Sequence, residues 1–231
     1  MNDASQKQWS TAYSTEALCA RILERHRSTV RVQKPHVAVA NLARIIEATL
    51  KLSNRQGFHA TTLRDLAQAS GLSMGGLYSY FENKTALLSM ILSEVSATAG
   101  EVLSSAPQSI VSDPPTHLRW LIETHIRLTE AMQGWFVFAY MEAKSFPLAE
   151  RRLAMESEAA TEAIFVAVLC RGVEGNQFAV ANVELTAALI KPLLQDWYVK
   201  RAKYRKRNTS IEAYIEAVVD MVEASIGFHH S

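Results

Sequence analysis

The apolar side chains of this 231-residue chain recur mainly at the spacing of an α-helix. Between residues 37 and 56 they lie three and four positions apart, at Leu42, Ile45, Ile46 and Leu50. Residues 84–103 repeat this pattern over a longer stretch. With only 9 Gly and 6 Pro in the chain, turns are scarce. The pattern predicts an all-α fold built from long helices.

The second half of the chain continues the helical pattern after a proline-containing loop at 104–115. We predict five further helices, at about 115–131, 133–144, 147–171, 181–204 and 209–226. Residues 134–141 are apolar on all sides, which is typical of a helix that is buried or lines a cavity. Pro192 lies inside one predicted helix and should kink it. Near the start of the chain, 15–27 is a further candidate helix.

Residues 61–81 predict two short helices joined by a tight turn. Thr61 or Thr62 can cap the first helix, and Gly71 ends it. Ser73 then caps the second helix, which contains the adjacent glycines Gly75 and Gly76 although each costs about 1 kcal/mol in a helix interior. This order matches a helix-turn-helix, in which the second helix enters the major groove of DNA.

Charge is distributed unevenly along the chain. The net charge is +1, but residues 1–90 carry a balance of +5 and the remainder carries −4. A basic front half favours an anionic partner. The basic extension at 1–35 is interpreted either as an arm that contacts DNA or as a disordered or packed segment.

Several classes of protein find no support in the sequence. The N-terminus does not have the pattern of a signal peptide, and no run of 18 uncharged apolar residues predicts a membrane span. Cys19 and Cys170 match no metal or redox spacing, so we expect reduced thiols in a cytoplasmic protein without metal or cofactor. Phosphate loops and nucleophile elbows do not occur, so an enzyme is not predicted.

The helix-turn-helix segment closely resembles the TetR/AcrR family of one-component transcriptional regulators. The residues that carry the resemblance keep the family's spacing: Thr62, Leu66, Ala67, Gly71, Leu72, Ser73, Gly75, Leu77, Tyr78, Phe81, Lys84 and Leu87. Tyr80 departs from the pattern, since many members have His there. The resemblance implies a three-helix DNA-binding domain at 36–84 and a helical effector-binding and dimerisation domain at 85–231, after the extension at 1–35.

The resemblance also implies roles for residues in the DNA-binding domain. Ten candidates are Thr62, Arg64, Ser73, Met74, Gly75, Gly76, Tyr78, Ser79, Tyr80 and Lys84. Contacts to the phosphate backbone fall to Thr62, Ser73 and the group Tyr78, Tyr80 and Lys84, and base contacts fall to the others. The alternatives are that Tyr78 is a core aromatic residue and that Lys84 is simply solvated. For Arg44 and Arg55 the two alternatives are a contact to the DNA backbone and a solvated position, and the solvated position is favoured.

Family members act as homodimers, which implies a palindromic operator. The predicted dimer contacts lie on the last two helices, at Ile190, Leu194, Ile211, Ile215, Val218 and Val222. The alternative is that these residues pack only within their own chain. The most common family mechanism is repression that a bound effector releases, and the alternative for this chain is a helical adaptor with a degenerate DNA-binding domain.

The effector is expected to be mainly apolar, because the candidate lining is rich in aromatic residues and Met. The ligand-binding candidates are Trp120, Arg127, Trp135, Phe138, Tyr140, Met141 and Trp197. For the aromatic residues and Met the alternative is ordinary core packing. His125, Arg127 and Glu142 are polar candidates, for which the alternative is an exposed helix face.

A basic run at 200–207 contains six Lys or Arg residues. Three interpretations remain open. The cations offset the dipole at a helix C-terminus, they bind the phosphates of an acyl-CoA effector, as the resemblance to some family members implies, or they contact DNA without sequence specificity.

Overall fold

The computed structural model describes residues 3–26 and 34–227, and within them it contains helices and no β-strand. The helices of the first half are α1 (Asp3–Ala12), α2 (Thr15–Arg25), α3 (Pro35–Gln56), α4 (Leu63–Ser70), α5 (Met74–Leu77), α6 (Lys84–Leu103) and α7 (Gln108–Val111). Those of the second half are α8 (Pro114–Ala131), α9 (Gln133–Met141), α10 (Leu148–Glu174), α11 (Val183–Val199), α12 (Arg201–Lys206) and α13 (Ile211–Ser225), with a 3₁₀ turn at Ala143–Ser145. The predicted all-α class is confirmed.

The chain forms two compact units. The N-terminal unit comprises Ala4–Ala97 and Ala131–Met155, and the C-terminal unit comprises Thr98–Glu130 with the residues from Glu156 onward. The sequence predicted a single boundary at residue 84. In the structure the first boundary lies near residue 97, and residues 131–155 return to the N-terminal unit. Such a return cannot be seen in the sequence, because helical periodicity does not specify which neighbours a helix packs against.

Most helix bounds agree with the sequence pattern, and three differences stand out. The helix after Ser73 ends at Leu77, whereas the pattern predicted helix through residue 81. α11 continues through Pro192, and the break comes at Lys200 instead. α1 and α7 were not predicted, because both lie in segments that are mostly polar or rich in proline.

The N-terminal extension contributes to the core of the N-terminal unit. α2 packs against α3 and buries Leu18, Cys19 and Ile22. Arg21 and Arg25 both pair with Glu94, a carboxylate that is 1% exposed, with 3.0 Å between Arg21 Nε and Glu94 Oε1. Residues 15–25 of the extension are therefore packed against the rest of the N-terminal unit and do not form an arm that contacts DNA. Residues 27–33, which carry Arg27 and Arg31, lie outside the described residues.

The C-terminal unit is built around an apolar core from α8, α10, α11 and α13. Trp197 is fully buried within it and stacks near Tyr204 and Tyr214, with ring centroids 5.4 and 4.8 Å away. The indole N–H of Trp197 donates to Glu130 over 2.9 Å, and Arg201 also donates to that carboxylate. The largest aromatic side chain of this core is therefore fully hydrogen-bonded.

Among the described residues, α6 alone is long and apolar enough to cross a membrane by length and composition. The sequence pattern had predicted no such helix, because only runs without any charged residue were counted as membrane spans. In the structure 61% of the apolar window is buried inside the protein, and Glu94 within it carries the ion pairs with α2. Both features are those of a core helix.

Two glycines of the C-terminal unit make a matched test of the packing. A Cβ on Gly172 in α10 would lie 2.0 Å from the Phe178 ring, whereas a Cβ on Gly100 in α6 would meet nothing within 4 Å. We expect Gly172→Ala to destabilise the protein by about 1–3 kcal/mol through overpacking. Gly100→Ala should stabilise it by about 1 kcal/mol through helix propensity. Thermal melts of the two variants would contradict this packing if both shifts had the same sign.

Candidate nucleic-acid interface

The first helix of the helix-turn-helix, α4, begins at a complete capping box. The Thr62 hydroxyl oxygen accepts from the Asp65 N–H over 3.1 Å, and the Asp65 carboxylate accepts from the Thr62 N–H over 2.8 Å. These hydrogen bonds, first from the Thr62 backbone and then from its side chain, lower the pKa of Asp65. Thr62 rather than Thr61 is thus the cap, and both of its donors are already bonded to Asp65.

The turn between the two helices depends on Gly71. Its φ of +68° lies in the left-handed region, as expected for a glycine that ends a helix. Its N–H donates to carbonyls at the end of α4. The Arg44 guanidinium lies directly over this turn, since a Cβ on Gly71 would be 2.4 Å from Arg44 Nη2.

The second helix, α5, is a single turn capped by Ser73. The Ser73 hydroxyl oxygen accepts from the Gly76 N–H over 3.0 Å. After Leu77 the backbone continues as tight turns, with the Tyr80 N–H bonded to the Leu77 carbonyl over 2.9 Å. Ser79 also donates its hydroxyl to the Gly75 carbonyl over 3.1 Å. Gly75 and Gly76 therefore do not lie in the middle of a long helix, since α5 consists of a single turn.

Neither glycine of α5 is required by packing inside the protein. A Cβ on Gly75 would meet only the Ser73 hydroxyl at 4.0 Å, which is an ordinary contact. A Cβ on Gly76 would approach that hydroxyl to 3.3 Å, which is close but not prohibitive. Gly75 is exposed. The free space beside it is therefore on the outside of the molecule.

Most of the ten DNA-binding candidates lie at the surface. Tyr78 is 49% exposed, so the structure excludes a core role for its ring. Thr62, Arg64, Ser73 and Gly75 are also exposed, and the remaining surface positions are half-buried: Met74, Gly76 and Ser79. These eight residues form a surface in one stretch of chain around α4 and α5.

The structure corrects the roles predicted for Tyr80 and Lys84. Tyr80 is 2% exposed, and this burial raises the pKa of its hydroxyl, so the ring belongs to the core. The Lys84 ammonium donates to the carbonyls of Phe58, His59 and Thr61 over 2.7, 3.0 and 2.8 Å. All three donors of Lys84 are thus bonded within the chain. Burial lowers the pKa of Lys84, and nearby Glu142 opposes that shift.

A basic face of α3 lies beside the helix-turn-helix, although Arg44 and Arg55 were predicted to be solvated. Arg44, Lys51 and Arg55 line a cleft of about 390 Å³ between α3 and α4, together with one acidic residue, Glu47. Their spacing of seven and four residues was visible in the sequence and predicts a shared helix face. This cleft adds three cations to the same unit as the helix-turn-helix.

Residues 45–91 match the family model described as bacterial regulatory proteins of the tetR family. The chain belongs to the TetR family. The match begins within α3 and includes α4, the turn at Gly71 and α5. The segment that carries the sequence resemblance is thus the one that forms the helix-turn-helix.

The similarity to other transcriptional regulators extends over most of the chain. The HTH-type transcriptional regulator HbdR of Aromatoleum sp. (strain CIB) is 23% identical over 192 residues, 83% of each protein. A TetR-family protein from Rhodococcus RHA1 aligns with a TM-score of 0.72 at 18% identity, over 82% of this chain and 98% of that one. FadR from Bacillus subtilis, solved in complex with stearoyl-CoA, aligns with a TM-score of 0.59 at 17% identity, over 81% and 98%.

The predicted ligand-binding residues of this TetR-family chain divide between its two units. Trp135, Phe138, Tyr140 and Met141 lie in the N-terminal unit. Trp135 and Phe138 are buried, whereas Tyr140 is 45% and Met141 58% exposed. Trp120, Arg127 and Trp197 lie in the C-terminal unit, where Trp197 is core and Trp120 packs against the core. The set therefore does not form a single lining within either unit.

The polar candidates are not on an exposed helix face, which corrects that alternative. Arg127 is 4% exposed and its Nε pairs with Glu123 over 2.8 Å. His125 is also 4% exposed, and burial, reinforced by Lys191, holds its pKa well below the usual value. Glu142 is half-buried and accepts from the Phe58 N–H over 2.8 Å. In the described part of the chain no cluster of His, Cys, Asp and Glu could hold a metal ion.

The structure also corrects the predicted dimer residues. Ile190, Leu194, Ile215, Val218 and Val222 are at most 4% exposed and form the core of their own C-terminal unit, with Ile211 packed against it. A different stripe of α11 faces outward, where Leu185 and Leu189 are 55% and 63% exposed. The exposed face of α13 carries a parallel series, namely Ala213, Ala217, Met221 and Ala224.

The basic run after α11 has two parts. Arg201 pairs with Glu130, and Lys200 and Lys203 pair with Asp196, which also accepts from the Tyr204 hydroxyl. Arg205, Lys206 and Arg207 are exposed at the end of α12. Half of the run thus fixes the end of α11, and the other half remains available to anions.

Proposed function

We propose that this TetR-family transcriptional regulator is a homodimeric repressor that binds a palindromic operator and leaves it when an effector binds. The observation that supports this most directly is the exposed α5, a capped turn with a bare Gly75 beside the exposed Tyr78. A helix backbone without a Cβ can approach base edges closely. The protein would act on DNA in the cytoplasm.

In this proposal the roles at the DNA surface follow exposure. Met74, Gly75, Gly76 and Ser79, with Arg64 from α4, face the bases. Ser73 presents the N-terminus of α5 to a phosphate, and the Tyr78 hydroxyl donates to another. Thr62 keeps its capping bonds and contacts DNA only through its exposed surface. Arg44, Lys51 and Arg55 supply charge from α3.

The dimer face is proposed to be the exposed stripe of α11 and α13 rather than the buried one. Leu185 and Leu189 on α11 and Met221 on α13 are large apolar side chains at 55–63% exposure. Small alanines flank Met221, which permits close approach of two helices. α11 and α13 also pack against each other, and the Tyr214 hydroxyl of α13 donates to the Leu193 carbonyl of α11. The pair would therefore meet its symmetry mate as one rigid surface.

For the effector we propose an acyl-CoA thioester bound by the C-terminal unit. FadR, whose fold this chain shares, was solved with stearoyl-CoA. The exposed cations Arg205, Lys206 and Arg207 suit the phosphates of CoA, and an apolar unit suits the acyl chain. By linkage, the effector and the operator weaken each other's binding by the same factor.

Two measurements test the proposal. Fluorescence anisotropy with duplexes from the region upstream of the protein's own gene should find a palindrome bound by two chains at physiological salt. Stearoyl-CoA should release that duplex, whereas free stearate or CoA alone should not. Failure to bind any such duplex would favour the adaptor alternative, and tight binding of a single chain to an asymmetric site would exclude the dimer.

The two glycines of α5 separate stability from fit to DNA. Gly75→Ala should raise stability by up to about 1 kcal/mol, because alanine is the better helix former. We expect it to weaken operator binding about tenfold or more, since the added methyl group projects from the exposed helix. Gly76→Ala crowds the Ser73 hydroxyl and serves as the comparison. Melting curves measure the stability of both variants, and operator titrations measure their affinity for DNA. Unchanged operator affinity in Gly75→Ala would show that the missing Cβ at Gly75 is not needed for the approach of α5 to DNA.

A further inference from the structure

A cleft of about 470 Å³ lies in the N-terminal unit between α3 and α9. Its apolar wall consists of Leu50 from α3 and Val137, Phe138 and Met141 from α9. Gly134, one of the lining residues, leaves the start of α9 without a side chain there. A cleft of this size and composition is typical of small-molecule sites.

The charged lining of this cleft is mainly acidic. Glu47 of α3 and Glu142, which directly follows α9, line it, against the single ammonium of Lys51. Glu142 is held in place, because its carboxylate already accepts from the Phe58 N–H over 2.8 Å. A carboxylate that is already oriented binds a cation without a further ordering cost.

A buried hydroxyl also lines the cleft. Ser53 is 3% exposed, and among the described residues its hydroxyl has no hydrogen-bond partner. Leaving a buried hydroxyl unpaired costs about 1–3 kcal/mol, and a helical serine usually bonds to the carbonyl four residues earlier. The unused hydroxyl therefore indicates a partner that enters the cleft from outside the chain.

We propose that this cleft binds an organic monocation with an apolar body, of the arylalkylamine class. The ammonium group lies between Glu47 and Glu142 and donates to the Ser53 hydroxyl, and the apolar body lies along Leu50 and Phe138. This site is in the N-terminal unit, whereas the acyl-CoA site is proposed for the C-terminal unit. It does not depend on that proposal or on DNA binding.

Isothermal titration calorimetry of the full chain with 4-phenylbutylamine tests the charge requirement. The neutral 4-phenylbutan-1-ol and the anionic 4-phenylbutyrate have the same apolar body. We expect the amine to bind at least about tenfold more tightly than the alcohol, since it gains charge-assisted hydrogen bonds, and the acid to bind most weakly. Equal affinity of amine and alcohol, or absence of amine binding, would overturn the proposal.

Variants locate the bound amine. Glu47 is exposed, so Glu47→Gln should fold normally, and we expect it to weaken amine binding about tenfold. Glu142→Gln keeps an oxygen for the Phe58 N–H and should weaken binding to a similar extent. Glu82→Gln, an exposed glutamate of the same unit that does not line the cleft, is the matched control and should bind the amine as the native chain does. Native affinity in Glu47→Gln and Glu142→Gln would place the amine elsewhere and refute the site.

Discussion

Replacing Lys84 by methionine is expected to destabilise the protein by about 2–4 kcal/mol, since three charge-assisted hydrogen bonds to backbone carbonyls are lost at once. Two of the residues that accept them, Phe58 and Thr61, are buried. The ammonium also lies 4.6 Å from the centre of the Phe58 ring, so a cation–π contact is lost too. Methionine retains most of the aliphatic stem, and the loss is therefore one of polar contacts.

The same variant distinguishes a structural lysine from one that contacts phosphate. If Lys84 contacted a phosphate, Lys84→Met would lower the slope of log affinity against log salt by about 1 and leave the melting temperature unchanged. If Lys84 only binds carbonyls of its own chain, Lys84→Met lowers the melting temperature and leaves the salt slope unchanged. Thermal melts and salt titrations of operator binding measure both quantities. Lys144→Met is the control, because Lys144 is exposed in the same unit and should alter neither.

The largest effect on operator binding is expected from Leu189→Glu. Leu189 is 63% exposed and is the more exposed of the two leucines in the outward stripe of α11, so the substitution should not disturb the protomer. In a twofold-symmetric dimer the change occurs twice and places carboxylates in an apolar interface. We expect the dimer to dissociate and affinity for a palindromic operator to fall by more than about a hundredfold.

Sedimentation equilibrium and operator titration check this expectation against two comparison variants. Leu148→Glu alters a leucine of α10 that is 65% exposed, and it should leave both the dimer and the operator affinity unchanged. Ile190→Glu alters the buried stripe of α11, which is 3% exposed at this position, and should unfold the protomer. An intact dimer in Leu189→Glu would show that the outward stripe is not the interface.

The local signals of the sequence were reliable wherever a residue acts on its own backbone. Ser73 caps α5 and Gly71 ends α4 in the left-handed conformation, as predicted. The periodic segment at 84–103 forms one helix with those bounds. Capping and helix termination depend on side chains within a few positions of each other, so the sequence contains all the information they need.

Side chains with two plausible surroundings were predicted less well. Tyr80 and Tyr78 are two positions apart in one aromatic pattern, yet only Tyr80 is buried. Lys84 was predicted to contact DNA, but it binds carbonyls 23 to 26 positions earlier in the chain. Such contacts depend on how distant segments pack, which periodicity does not specify.

The sequence by itself determined the helical class, the position of the helix-turn-helix and the family, because these follow from short-range spacing and a local motif. Tertiary structure alone decided which apolar stripe of α11 and α13 is core and which remains exposed, since both helices are apolar on two faces. It also brought Glu142 to the Phe58 N–H, and α9 to α3 around a cleft. The physical reason is that burial and pairing are properties of neighbours in space, whereas helix formation and capping are largely properties of neighbours in the chain.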